Sequence, residues 1–197
     1  MRFNQYINEK RSKNVIVVDI QPMYANYIKF NISDFCDFLI NQRNILYFYN
    51  GPDTVGSDTK NNIIDWLSEE YYGDIDMIDK KLSDVTWYDK GYGFFRSWMD
   101  QGSDIGFIKK AIRFMMRNKV YDSRDIDPEI WENKFPNDWD DYMINDPIYL
   151  PNIPLNKLKK FSGGYIVGGG KSECLRELQI LMSVFNIKAT EIERFIY

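Results

Sequence analysis

Tyr165-Ile166-Val167-Gly168-Gly169-Gly170-Lys171-Ser172-Glu173-Cys174 reads as a strand that stops at three glycines and hands over to a helix. Glycine lets the backbone turn tightly there and leaves its amides bare. Beyond the turn, Leu175, Leu178, Leu181 and Met182 recur on one side of a helix predicted over 172–186, after a strand at 164–168. A helix start collects unpaired N–H groups and partial positive charge, which favours an anion. A thiol in that first turn, here Cys174, is expected to have a depressed pKa and to be reactive. Three uses suit such a joint: a nucleophile, an anion-binding loop, or a plain connection.

The same alternation runs outward through the chain. Val15-Ile16-Val17-Val18 is a β-branched run, predicted to be a buried strand ending at Asp19. Ile45-Leu46-Tyr47-Phe48-Tyr49 is a second strand, closed by the turn Asn50-Gly51-Pro52-Asp53. Val85-Thr86-Trp87-Tyr88 is a shorter third strand before Asp89-Lys90-Gly91. Helices are predicted from a Ser33 cap to Gln42, from Asp58 or Thr59 to about Tyr71, and over 105–119 behind an Asp104 cap. Residues 121–147 are rich in Asp, Asn, Trp and Pro and form an excursion with one helix near 128–134. A short edge strand at Ile148-Tyr149-Leu150, a helical turn or two around Leu155, Leu158 and Phe161, and a closing strand within 190–197 complete the pattern. Residues 1–13 are polar and read as a tail or short helix. Strands alternating with helices imply parallel crossovers. The expected fold is one doubly wound, three-layer α/β domain over 14–197. It is Rossmann-like, with a mostly parallel sheet and an inserted excursion around 121–147.

Composition narrows the function. The chain has 197 residues, enough for one sizeable core. A net charge of −4 gives no global basic field, which argues against nucleic acid as a partner. Lys109, Lys110, Arg113, Arg117 and Lys119 make a local basic face, read as an ordinary solvated helix side. The apolar runs are too short for a bilayer and the N-terminus has no signal core, so the expectation is a cytoplasmic protein with no membrane partner. The chain contains no histidine. That removes Ser-His-Asp and Cys-His catalysis and His-bearing zinc sites. Cys36 and Cys174 are the only cysteines, too few for a disulfide framework, and Cys36 reads as core among Phe35, Phe38 and Leu39. A general base must therefore be a carboxylate, lysine, tyrosine or thiolate.

Ligands of open parallel sheets bind beyond the carboxyl ends of the strands. Those ends carry Asp19, Asn50 with Asp53, Asp89 with Lys90, and the 168–174 loop. Asp19, Lys90 and Cys174 supply an acid, a cation and a thiol. The ammonium favours thiolate, and the carboxylate can take the thiol proton and later return it to a leaving group. The plain alternatives are a Cys174 buried as a small hydrophobe on an amphipathic helix and a Lys90 that is only a solvated turn residue.

Val17-Val18-Asp19-Ile20-Gln21 resembles the strand-Asp-x-Gln opening of the isochorismatase-like cysteine hydrolases. Lys90-Gly91-Tyr92-Gly93-Phe94-Phe95 resembles their Lys-containing segment, and Ile166-Val167-Gly168 followed by Cys174 resembles their nucleophile turn. The resemblance implies a Rossmann-like fold and hydrolysis of a small amide-type substrate, without a cofactor. It implies Asp19 as general base, Lys90 as charge stabiliser and Cys174 as nucleophile. Gln21, Gly168, Gly169, Gly170, Lys171 and Ser172 are the matching candidates for holding a substrate or anion. The chain departs from the pattern in the long stretch between Lys90 and Cys174 and in Leu175-Arg176-Glu177, where the family has small residues. In its Asn-, Tyr-, Asp- and Ile-rich style it is also similar to small proteins of tailed phages, which would place it in a host cytoplasm.

Two other classes fit parts of the chain. Asp19, Asp53, Glu173 and Glu177 are acidic residues near one sheet edge, as in PIN-like nucleases that hold Mg²⁺ or Mn²⁺. Alternatively, the aromatics Trp87, Tyr88, Tyr92, Phe94, Phe95 and Trp98, with Trp131, Trp139 and Tyr142, suit an inactive binding or assembly protein. A homo-oligomer is then the default partner on symmetry grounds. Gly170-Lys171-Ser172 fails as a Walker loop because Tyr165 stands where that motif needs its first glycine.

Overall fold

β-Branched and aromatic runs build a five-stranded sheet in the order β3-β2-β1-β4-β5, with every pairing parallel. The computed structural model describes residues 13–51, 58–90, 94–140, 142–151, 153 and 155–197. The strands are β1 (Val15–Val18), β2 (Ile45–Tyr49), β3 (Thr86–Asp89), β4 (Tyr165–Gly168) and β5 (Thr190–Glu191). β1 lies between β2 and β4, in register Val15 to Ile45 on one side and Val15 to Tyr165 on the other. The three-layer α/β expectation holds, and the sheet is wholly parallel.

The pleat divides the core. Val15, Val17, Tyr47 and Val167 point to one face, and Ile16, Val18, Phe48 and Ile166 to the other. The first face is covered by α1 (Ile32–Ile40), α2 (Lys60–Glu69) and α3 (Ile75–Ser83), through Phe35, Leu39, Ile63, Leu67, Ile78 and Leu82. The second is covered chiefly by α5 (Ile105–Asn118) and α9 (Cys174–Val184), through Ile108, Ile112, Met115, Leu175, Leu178 and Leu181. The chain moves outward from β1 to β3 under one layer, then returns past β1 to β4 and β5 under the other. Right-handed crossovers in opposite directions require that change of face. Strand order therefore reverses between β1 and β4, and a crevice opens there at the carboxyl ends.

Several boundaries differ from the sequence reading. Asn31 caps α1, accepting the Asp34 amide at 3.1 Å, whereas Ser33 Oγ accepts from the Tyr72 amide. Thr59 caps α2, which ends at Glu69. The helices α3 and α4 (Arg96–Asp100) were not anticipated. The 148–150 segment is not a sheet strand: only an isolated antiparallel bridge joins Asp122 to Tyr149. The closing strand stops at Glu191, and a 3-10 turn follows over Glu193–Phe195. The expected tail over 1–13 lies almost wholly outside the described residues.

The excursion is packed. It contains α6 (Pro128–Lys134) and α7 (Tyr142–Asn145), and the α8 turn (Leu155–Lys159) follows it. Trp131 and Trp139 stack with ring centroids 5.1 Å apart, and Trp131 meets Trp98 edge-on. Phe94, Phe95, Trp98 and Trp131 are buried, so these aromatics serve the core. Among the described residues no helix is long and apolar enough to cross a membrane.

Gly168 has φ of +81°, and a Cβ added there would lie 2.2 Å from the Val18 carbonyl oxygen. Backbone cannot yield as a side-chain tip can. Gly168→Ala is expected to destabilise the fold by about 3 kcal/mol or more, read as a fall in the urea midpoint. A midpoint unchanged from the native protein would contradict the tight β1–β4 approach.

Candidate active site

Asp19 leaves β1 in the left-handed region, at φ of +52°, which few non-glycine residues occupy. Its amide donates to the Phe48 carbonyl at 3.0 Å, and its carbonyl accepts the Tyr197 hydroxyl at 2.8 Å. The backbone is pinned from both sides, and the carboxylate is fully buried in the switch-point crevice. Lys90, just past β3, ties its amide to the Tyr49 carbonyl at 2.9 Å and sends its side chain inward. Its Nζ lies 3.0 Å from Asp19 Oδ2 and donates to Asn50 Oδ1 at 2.8 Å. Asn50 stands directly after β2, so the ends of three neighbouring strands meet in one polar chain.

Cys174 opens α9, beside the β4 end, with its thiol free and half-buried. That thiol lies close enough to Asp19 and Lys90 for both charges to act on it. Lys90 approaches Asp19 as an ion pair, and neither Asp19 oxygen receives a well-directed hydrogen bond from the described residues. The carboxylate thus sits between an ammonium and a thiol with acceptor capacity unspent.

The electrostatics reverse one expectation. Burial pushes the Cys174 thiol up to about 12, and the Asp19 charge adds to this. The Lys90 ammonium opposes the rise without overcoming it. The resting group is a thiol, not the thiolate a helix start alone would favour. For Lys90, burial disfavours the charged form, but the neighbouring carboxylates, Asp19 foremost, outweigh it and the pKa is raised. Lys90 stays an ammonium. Tyr24 also feels the site: burial, then Asp19 and Cys174, push its hydroxyl up to about 12.

The other candidates are placed as follows. Gln21 is buried and holds the strand ends together: its Oε1 accepts the Asn50 amide at 2.9 Å, and its Nε2 reaches the Asn50 carbonyl and Asp58. Gly168 and Gly169 have positive φ and shape the turn, while Gly170 accepts the Glu173 and Leu175 amides. The Lys171 amide donates to the Tyr197 carbonyl, and its exposed ammonium pairs with Glu193 at 3.2 Å. Ser172 is exposed in the same turn. Several loop amides are therefore engaged within the fold and are not open for an anion.

Glu173 pairs with Arg96 at 3.4 Å. Glu177, one turn after Cys174 and 1% exposed, accepts the backbone amides of Phe94 and Phe95 through one oxygen. Burial raises its pKa against those two bonds and the Lys90 charge. Asp53 lies outside the described residues. Among the described residues no three Asp, Glu or Cys groups gather where they would hold a metal ion. Each described acid of the Mg²⁺ or Mn²⁺ reading is engaged by a protein cation or amide.

The sequence places Asn50 among the polar strand ends without giving it a role, and it does not single out Tyr24. Tyr24 carries no signal, being one tyrosine of 14 in a loop. Comparison with family models, with curated proteins and with solved structures finds no match to this chain.

Two outcomes follow from this geometry. Alkylation of Cys174 by iodoacetamide should rise about tenfold per pH unit from about pH 7 to 9 with no plateau, because the thiolate fraction is still growing there. Asp19→Asn removes the charge that opposes thiolate and leaves Lys90 beside it, so alkylation at about pH 7.5 should accelerate about tenfold. A native plateau below about pH 8 would contradict the arrangement. Separately, Lys90→Met strands the Asp19 carboxylate and should cost about 3–5 kcal/mol of stability, recovered largely in the Asp19→Asn/Lys90→Met double variant.

Proposed function

We propose that this protein is a cysteine hydrolase of small amide-type substrates, with Cys174 as nucleophile, Asp19 as proton acceptor and donor, and Lys90 as the fixed cation. The observation that carries this reading is the meeting of a buried carboxylate, an ammonium and a free thiol at the sheet's switch point. The three come from distant parts of the chain and from three strand ends, and packing alone does not require them together. The sequence resemblance to isochorismatase-like hydrolases assigns the same residues the same roles.

The chemistry runs without histidine. As the Cys174 sulfur forms a bond to the amide carbon, its proton passes to Asp19 and the carbonyl electron pair moves onto oxygen. Lys90 and the positive end of α9 stabilise the charge that develops. The carbonyl then re-forms, the C–N bond breaks, and the Asp19 proton goes to the leaving nitrogen. Water attacks the thioester, giving a proton to Asp19. The C–S bond breaks, the carboxylic acid departs, and the sulfur takes the proton back. A thiol held protonated at rest suits this cycle, because proton removal is coupled to attack.

Ammonia release from a panel of small primary amides and ureido compounds tests the reading. At least one member should be turned over, with kcat/KM lowered about 10³-fold or more in both Cys174→Ala and Asp19→Asn. Turnover undiminished in Cys174→Ala would end the proposal. The two substitutions should also part company, since Asp19→Asn loses hydrolysis while its thiol alkylates faster. A merely unfolded variant would also expose the buried Cys36, so in Asp19→Asn the faster alkylation should be confined to Cys174.

A further inference from the structure

The polar chain that starts at Asp19 does not stop at Asn50. Lys90 Nζ, 3.0 Å from Asp19 Oδ2, donates to Asn50 Oδ1 at 2.8 Å, and Asn50 Nδ2 in turn donates to the Tyr24 hydroxyl oxygen. Each amide hydrogen bond polarises the next, so a cation at one end strengthens the donor at the other. The Tyr24 oxygen is occupied as an acceptor, and its own hydrogen is left to donate. Among the described residues no acceptor takes that hydrogen. The neighbouring tyrosine differs: the Tyr197 hydroxyl is spent on the Asp19 carbonyl at 2.8 Å, with the two rings 6.2 Å apart.

Tyr24 also sits where a reacting group would need a donor. It lies in the 3-10 turn Pro22–Tyr24 that follows β1, on the crevice side, and is half-buried. Its phenol stays protonated throughout the neutral range, because burial and the nearby Asp19 and Cys174 raise its pKa. A neutral phenol in a partly buried crevice is a strong donor to an oxyanion and does not compete with Asp19 for the thiol proton. At the start of α9 the Lys171, Glu173 and Leu175 amides are engaged within the fold, so Tyr24 adds a side-chain donor to those the helix start leaves.

We propose that Tyr24 is a catalytic residue whose hydroxyl, oriented by Asn50 and Lys90, hydrogen-bonds the substrate oxygen as it becomes an oxyanion. This inference rests on the cysteine-hydrolase reading. The step involves no proton transfer by Tyr24: the hydrogen bond strengthens as the carbonyl pair moves to oxygen and weakens as the carbonyl re-forms. Such a donor adds most to kcat and little to KM.

Two reactions of the same thiol separate the ideas. Acetylation of Cys174 by p-nitrophenyl acetate passes through a tetrahedral oxyanion, whereas alkylation by iodoacetamide does not. Both rates are read by mass spectrometry on the full chain, for the native protein and for Tyr24→Phe. The expected result is acetylation about 10²-fold slower in Tyr24→Phe, with alkylation unchanged within a factor of about two. Acetylation equally fast in both proteins overturns the Tyr24 proposal and leaves the hydrolase reading standing. Native Cys174 that alkylates but never acetylates overturns the hydrolase reading, and the Tyr24 role with it. A fall in both rates together also overturns the proposal, since it marks a displaced thiol and not a lost oxyanion donor. Asn50→Leu, which cuts the chain but keeps the phenol, should slow acetylation in the same sense as Tyr24→Phe.

Discussion

The contact on which the rest depends is the buried pair of Asp19 and Lys90. Both side chains are almost wholly withdrawn from water. Removing two charges from water costs several kcal/mol each, and their attraction repays that only when geometry and further hydrogen bonds are favourable. Here Lys90 gains a second acceptor in Asn50, but the Asp19 oxygens gain no well-directed donor. A pair arranged this way is an inefficient means of holding a sheet together. It does hold a carboxylate rigid and under-satisfied beside a thiol, as the proposed proton acceptor requires.

The topology explains how residues so far apart in the chain come to share that spot. Parallel strands all present their carboxyl ends to one edge, and the order β3-β2-β1-β4-β5 puts the reversal at β1 and β4. Asp19 and the glycine turn leading to Cys174 therefore flank the crevice, while Asn50 and Lys90 come in from β2 and β3. Gly168 allows β4 to crowd against Val18. The strained turn at Asp19 is held by bonds to Phe48 and Tyr197. Backbone strain at this residue is offset by hydrogen bonds to its own amide and carbonyl.

Much of this was legible in the sequence because strand ends announce themselves. A β-branched or aromatic run followed by a polar residue located Asp19, Asn50 and Lys90, and three glycines before an amphipathic run located Cys174. What stayed hidden was set by contacts, not by pattern. The thiol pKa is raised first by burial and then by a carboxylate far away in the chain, and the local pattern around Cys174 shows neither. The helix α3 has only Ile78 and Leu82 buried among Asp76, Asp79, Lys80 and Lys81, and this faint stripe was overlooked. The excursion looked irregular because stacked tryptophans, which pack it, follow no helical or strand period.

Glu177 shows how the two halves of the site are coupled. It belongs to α9, one turn behind the thiol, yet its carboxylate gathers the amides of Phe94 and Phe95, four and five residues past Lys90. The segment carrying the cation and the helix carrying the sulfur are thus tied by one buried group. The same charge helps keep Lys90 protonated and Cys174 un-ionised. The tie fixes α9 against the segment that follows β3, and Lys90 is itself held to Asp19 and Asn50 at the sheet edge. For a centre whose proposed chemistry passes one proton between sulfur and carboxylate, that chain of contacts sets the spacing of all three members.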